Sequence, residues 1–301
     1  MSTSSHRKVA IIGSGIAGLC AGVYARRSGL DAEIFEAAHG PGGLAMSWKR
    51  HDYTFETCLH WLLGSKPGSP FHELWKEVFD IDELQFVDFD DFIRMETEDG
   101  RTLTVPRNVD RLERELLELA PEDAVPIRRL AKGIRRLRDL EMPLPSSGPL
   151  KYGMQLLKAV PHLSEMHYWS RMSAEEFGHR FRNPLLRAFF GEGGQAHMSA
   201  VALVFSLAWM DRKDAQYPVG GSQAVIRAIE RRFLDLGGKI HYGCKVDRIL
   251  VEDGTAKGLH LSDGGVVLAD WVVSAADGHS TLFDWIPREY LDERVSAPYR
   301  E

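Results

Sequence analysis

Apolar residues follow two rhythms along this chain, and the change from one to the other divides it. Val9-Ala-Ile-Ile12 is a short unbroken apolar run that stops at a glycine, as a strand buried on both faces would. Residues 16–28 follow with helical spacing and meet Gly29 where a helix C-cap is expected, and residues 32–36 form a second strand. A strand–helix–strand start is thus packed into the first 36 residues. Next comes a predicted hairpin, with 48–50 and 53–55 flanking His51-Asp52.

Beyond residue 66 the helical period dominates. Helices are predicted at 70–79, 109–119, 122–140, 150–160, 174–181 and 200–210, with a hairpin around Glu98-Asp-Gly100. Pro143, Pro145, Ser146, Ser147, Gly148 and Pro149 form a breaker cluster, and Ser173 with Glu176 fits a capping box. From Gly220 the α/β alternation returns. A helix at 222–236 ends at Gly237-Gly238 and leads into a strand at 239–242. Short strands at 245–251, 256–262 and 266–269 precede a last apolar strand at 271–274. The economical assembly is a discontinuous α/β domain, 1–66 with 218–301, carrying an inserted, mainly helical α+β domain at 67–217. Its doubly wound sheet would cross over through the antiparallel three-strand run in place of a helix.

Composition narrows the function classes. The 301 residues have a net charge of −6, and mean hydropathy is −0.24. Nucleic acid is therefore not an expected partner, and a polytopic membrane protein is excluded. Cys20, Cys58 and Cys244 are widely spaced and suit free thiols in a reducing, cytoplasmic setting. The 12 histidines contain no metal-binding spacing, so no metal site is expected. Gly220-Gly-Ser222 does not make a nucleophile elbow, and Ser222 reads as a helix cap.

The chemistry sits in the glycines. Gly13-Ser14-Gly15-Ile16-Ala17-Gly18 follows a strand and opens a helix. The first glycine permits the tight turn, the second lets backbone approach a pyrophosphate, and the third lets helix and strand pack closely. Glu36 ends the second strand, where a carboxylate can take a ribose hydroxyl and disfavours a 2′-phosphate. Downstream, Ala37 leads to Pro41-Gly42-Gly43-Leu44-Ala45, and this second glycine pair would add backbone N–H groups beside the same phosphates. A long, extended dinucleotide such as FAD suits two such loops.

Gly13–Gly18, Glu36, Pro41-Gly42-Gly43 and the return segment Tyr217-Pro-Val-Gly-Gly-Ser222, Val246-Asp-Arg-Ile-Leu and Val272-Val-Ser-Ala-Ala-Asp277 resemble the FAD-dependent phytoene desaturase, carotenoid isomerase and retinol saturase superfamily. Tyr53-Thr-Phe-Glu-Thr-Cys-Leu-His60-Trp is most similar to the retinol saturase branch. The resemblance implies a glutathione-reductase-like Rossmann domain, bound FAD, and redox change or isomerisation of a carbon–carbon bond in an apolar polyene. It also implies that Val246 meets adenine through its backbone, that Ala275 belongs to the second cofactor stretch, and that Cys58 and His60 lie near the flavin. A buried, inert thiol is the expectation for Cys58. Relatives carry Arg where this chain has Leu44 and Gly where it has Cys58, and they run well beyond 301 residues. A truncated member is therefore expected. The alternatives are an amine-oxidase-like enzyme with a polar substrate and a catalytically silent flavoprotein piece.

Two features bear on an apolar substrate. Phe71, Trp75, Phe79, Phe89, Phe92 and Tyr168, with Trp169, Phe189, Phe190, Phe205 and Trp209, could line a tunnel, although ordinary core is the expectation for most. Residues 127–138 alternate a basic face with Ile127, Leu130, Ile134 and Leu137, a pattern that could lie on an anionic membrane or simply be solvated.

Overall fold

The computed structural model describes residues 7–143, 148–192 and 197–299, and the chain forms two compact units. Pro145, Ser146 and Ser147 of the breaker cluster lie outside the described residues.

The first unit comprises Met1–His60, Trp75–Gln85 and Pro218–Glu301. Its four-stranded sheet is parallel, in the order Lys239–Tyr242, β2 (Asp31–Glu36), β1 (Lys8–Ile12), Trp271–Ser274. Successive side chains of a strand point to opposite faces, so adjacent residues of β2 serve different layers. Ile34 faces α1 (Ile16–Arg27) near Gly22, whereas Phe35 joins Ala10 and Ile12 against Val246, Ile249 and Leu259 on the other face. That second layer is an antiparallel meander of Val246–Glu252, Thr255–Leu261 and Val266–Leu268, inserted between the last two parallel strands. On the helical face, α1 packs beside helix Gly221–Asp235, whose Phe233 ring fills the space a side chain at Gly22 would need. The predicted hairpin is present, Ser47–Arg50 pairing with Tyr53–Glu56.

The second unit comprises Trp61–Leu74 and Phe86–Tyr217. Relative to the expected domains 1–66 with 218–301 and 67–217, residues 61–66 fall in the second unit and 75–85 in the first. Helices Val109–Leu119, Ala124–Arg138 and Ala200–Asp211 share one core with Trp169, Phe177 and Phe190. These three aromatics interlock, with edge-to-face contacts at centroid distances of 5.0 and 5.7 Å. The capping box at Ser173 and Glu176 is formed, opening helix Ala174–Gly178.

Two of the alternatives raised by the sequence, a membrane-facing stripe and an aromatic tunnel, meet the packing here. The apolar stripe of helix Ala124–Arg138 does not face outward: Ile127, Leu130, Ile134 and Leu137 are core residues. Three of its arginines are also committed, Arg129 to Glu165, Arg135 to Asp110 and Glu113, and Arg138 to Asp211. This helix therefore has no apolar face to lay on a membrane. The aromatic residues considered for a tunnel are mostly packing: Phe79, Trp169, Phe190 and Phe205 are buried in cores, and Phe89 is exposed. No helix of the described residues is long and apolar enough to cross a membrane.

Candidate cofactor-binding site

The parallel strands of the first unit end together, and the chain crosses there three times. Beyond β1, Gly13 takes a φ of +94°, open to glycine at low cost, and its N–H donates to Phe35 O at 2.9 Å. Ala275 N–H donates to Ile12 O at 3.0 Å, so the loop after Trp271–Ser274 is tied to the end of β1. Gly42 N–H donates to Ser14 O at 3.0 Å, and Gly15 and Gly42 form a parallel bridge. The two glycine segments therefore touch, and a Cβ on Gly43 would lie 3.2 Å from the Gly15 Cα.

Behind this cradle sits a charged anchor. Glu36 accepts the Ser14 N–H at 2.7 Å and the Ser14 hydroxyl at 2.8 Å on one oxygen, and the Ala38 N–H at 2.8 Å on the other. The carboxylate thus holds the glycine loop in shape as well as facing the cavity. The α1 N-terminus has no side-chain cap and no acidic residue in its first turn. Its leading N–H groups lack intrahelical acceptors and carry the positive end of the helix dipole, an arrangement suited to phosphate.

These elements enclose a cavity of about 710 Å³. Gly13, Gly15, Ile16 and Ala17 form one wall, and Gly42, Gly43, Leu44 and Ala45 another. Glu36, Ala37, Val246 and Ala275 complete the set that sequence assigned and the cavity brings together. Ser14 and Gly18 do not line it. Ser14 is fully buried behind the loop, and Gly18 is pressed against Gly13 so closely that a Cβ would fall 1.9 Å from the Gly13 carbonyl oxygen. His60 is exposed and is not a lining residue. Cys58 lines the cavity but is exposed, correcting the expectation of a buried, inert thiol.

Other lining residues escaped sequence reasoning. Phe35 and Trp285 add apolar wall, Lys245 adds a positive charge, and Asp277, at the end of the resembling stretch but not singled out in it, adds a negative one. Asp277 follows a parallel strand end as Gly13 does. The Ser280 backbone N–H it accepts at 2.8 Å holds its carboxyl below the ordinary carboxylate range. Trp285 reaches the cavity from a π-helical turn, Ser280–Trp285, that no periodicity announces.

Ser222 is corrected too. Gly220 is the N-cap of helix Gly221–Asp235, and the buried Ser222 instead donates its N–H (2.7 Å) and hydroxyl (2.6 Å) to Glu56. Burial pushes the Glu56 carboxyl up, but the Ser222, Cys58 and Leu59 donors outweigh it and hold the value below the usual 4.5. Glu56 thereby ties the hairpin and the Cys58 loop to that helix.

A glycine cradle at strand ends, a bare helix N-terminus, an acid at the end of the second strand and apolar walls define a dinucleotide-binding flavoprotein site. The model of the family described as flavin containing amine oxidoreductase matches residues 16–283. The chain belongs to that family, and FAD is its cofactor. Curated relatives include a lycopene-forming phytoene desaturase from a Paracoccus species, 25% identical over 281 residues, covering 89% of this chain and 54% of that protein. A chloroplastic prolycopene isomerase from an Oncidium hybrid is also 25% identical, over 90% of this chain and 48% of its own length. The chain thus spans about half the length of these relatives. A crystal structure of an oxidoreductase from Methanosarcina mazei shares the fold, with a TM-score of 0.60, 20% identity and coverage of 97% of this chain and 64% of that one.

Proposed function

We propose that this protein is an FAD-dependent oxidoreductase that desaturates, saturates or isomerises a carbon–carbon bond in an apolar polyene. The docking of Gly42 on Ser14, which places two glycine loops and a helix N-terminus around one cavity, carries this reading. The relatives named phytoene desaturase and prolycopene isomerase support the substrate class.

In this reading the first unit holds the cofactor in a glutathione-reductase-like arrangement. Backbone N–H groups of Gly15, Ile16, Ala17 and Gly43 bind the pyrophosphate, and Glu36 takes a ribose hydroxyl on the oxygen that also accepts the Ala38 N–H. That negative charge also selects against a 2′-phosphate. Val246 meets adenine, and Leu44, Ala45, Cys58 and Ala275 lie along the cavity toward the flavin ring. The second unit, Trp61–Leu74 with Phe86–Tyr217, forms the substrate domain. Bound FAD supplies two-electron exchange with a substrate carbon, so the protein's part is binding, orientation and exclusion of water. No charged side-chain catalyst is required for that role.

The test is the visible spectrum of the purified protein, chromatography of the cofactor released on denaturation, and an anaerobic assay with a linear C40 polyene analysed for double-bond number and geometry. Stoichiometric FAD with altered polyene supports the proposal. FAD-loaded protein that oxidises primary amines and leaves polyenes untouched overturns the substrate class.

A further inference from the structure

The apolar surface that the sequence sought on residues 127–138 exists elsewhere in the second unit. Helix Pro149–Ala159 buries only Gln155 and Ala159, through the side that meets the core. On another side Leu150, Met154 and Leu157 follow one another at i, i+4 and i+7, and they are 82%, 52% and 73% exposed. Leu156 and Val160 extend the apolar strip on one flank and are exposed as well. Lys151 and Lys158 border the other flank, and residues 148–164 contain no Asp or Glu in a chain of net charge −6.

The neighbouring helix Ala124–Arg138 adds to this charge. Its paired arginines, 129, 135 and 138, point to carboxylates, but Arg128, Lys132 and Arg136 repeat every four residues on its exposed side. None of the three makes an ion pair among the described residues. The short turn Val160–His162 that follows helix Pro149–Ala159 reaches helix Ala124–Arg138, with His162 Nδ1 2.6 Å from the Arg136 carbonyl oxygen.

We propose that helix Pro149–Ala159 docks on an anionic lipid surface, its Leu150–Met154–Leu157 face entering the acyl boundary and the unpaired cations meeting headgroups. Exposed leucines in a row gain by leaving water, and each Lys or Arg near an anionic leaflet adds to the attraction. A second copy of this chain is the poorer occupant. Isologous pairing sets a surface against itself, so the lysines and arginines would face their own counterparts. This inference stands on the second unit alone and is independent of the flavin reading.

Co-sedimentation with vesicles decides it, using phosphatidylcholine alone and phosphatidylcholine containing about one-third phosphatidylglycerol. The protein is expected to bind the anionic vesicles at least about tenfold more tightly than the neutral ones, and less tightly as salt is raised. The double variant Leu150→Gln/Leu157→Gln should weaken binding at least about tenfold. Arg128→Gln/Lys132→Gln/Arg136→Gln should weaken it about a hundredfold, at roughly fivefold per charge. All five positions are exposed, and circular dichroism checks that each variant is folded. Absence of vesicle binding overturns the proposal, as does binding that neither variant changes. Concentration-dependent self-association abolished by the leucine substitutions would assign the face to a second copy and also overturn it.

Discussion

A methyl group added at Gly18 would place a carbon 1.9 Å from the Gly13 carbonyl oxygen, a backbone atom that cannot swing aside. Gly18→Ala is therefore expected to lower stability by about 1–3 kcal/mol or more, read as a fall in Tm, and to reduce retained FAD. Cys58 and Cys20 offer a direct view of the site. Cys58 is exposed on the cavity, whereas burial pushes the Cys20 thiol up to about 11. A maleimide should modify Cys58 well before Cys20, and saturating FAD should slow the Cys58 reaction; equal rates would count against the cavity as the cofactor site. Glu56 brings pH into the fold. Its carboxyl is held below 4.5 by Ser222, Cys58 and Leu59 donors. The stability this contributes is present above pH 4.5 and is lost as pH falls through the depressed native value. Glu56→Gln puts an amide where those donors converge, with an expected cost of about 1–3 kcal/mol and a flatter loss of stability between neutral and acid pH in thermal melts.

Elements were legible where their side chains repeat. Helices Val109–Leu119 and Ala124–Arg138, and strands β1 and Trp271–Ser274, lie within two residues of the pattern that predicts them. Helix Leu163–Ser170 has no such stripe and went unseen, because Trp169 is its one fully buried residue, with Met166 and Tyr168 packed only in part against the core. The small sheet of Leu62–Leu63, Ala215–Pro218 and Phe86–Val87 is equally silent, since strands of two to four residues brought from distant sequence have no periodicity to show. For helix Ala124–Arg138 the period was legible, but it left open whether the apolar face met lipid or protein. An amphipathic basic helix looks alike whether its apolar face meets lipid or protein, and here Ile134 is 1% exposed. Ile134→Ala should cost about 2–5 kcal/mol in denaturant unfolding, a penalty that a solvent- or lipid-facing position would not carry.

At the scale of the molecule, ligand linkage connects site and stability. A cofactor that binds only the folded first unit raises its apparent stability by about 2.7 kcal/mol at a free concentration a hundredfold above Kd. Titrating FAD into the protein should therefore raise Tm in step with occupancy, and NADP should not match it because Glu36 opposes a 2′-phosphate. The sequence by itself determined the strand–helix–strand start, the glycine spacing and the acid at position 36, because the steric demands of a tight turn and a close phosphate are met by residues adjacent in the chain. Tertiary structure alone decided that Gly42 docks on Ser14, that Lys245 and Trp285 reach the same cavity, and that Ser222 serves Glu56 rather than its own helix. It also decided which amphipathic helix keeps its leucines in water. Those outcomes depend on packing between residues up to hundreds of positions apart, and local pattern carries no information about such distances.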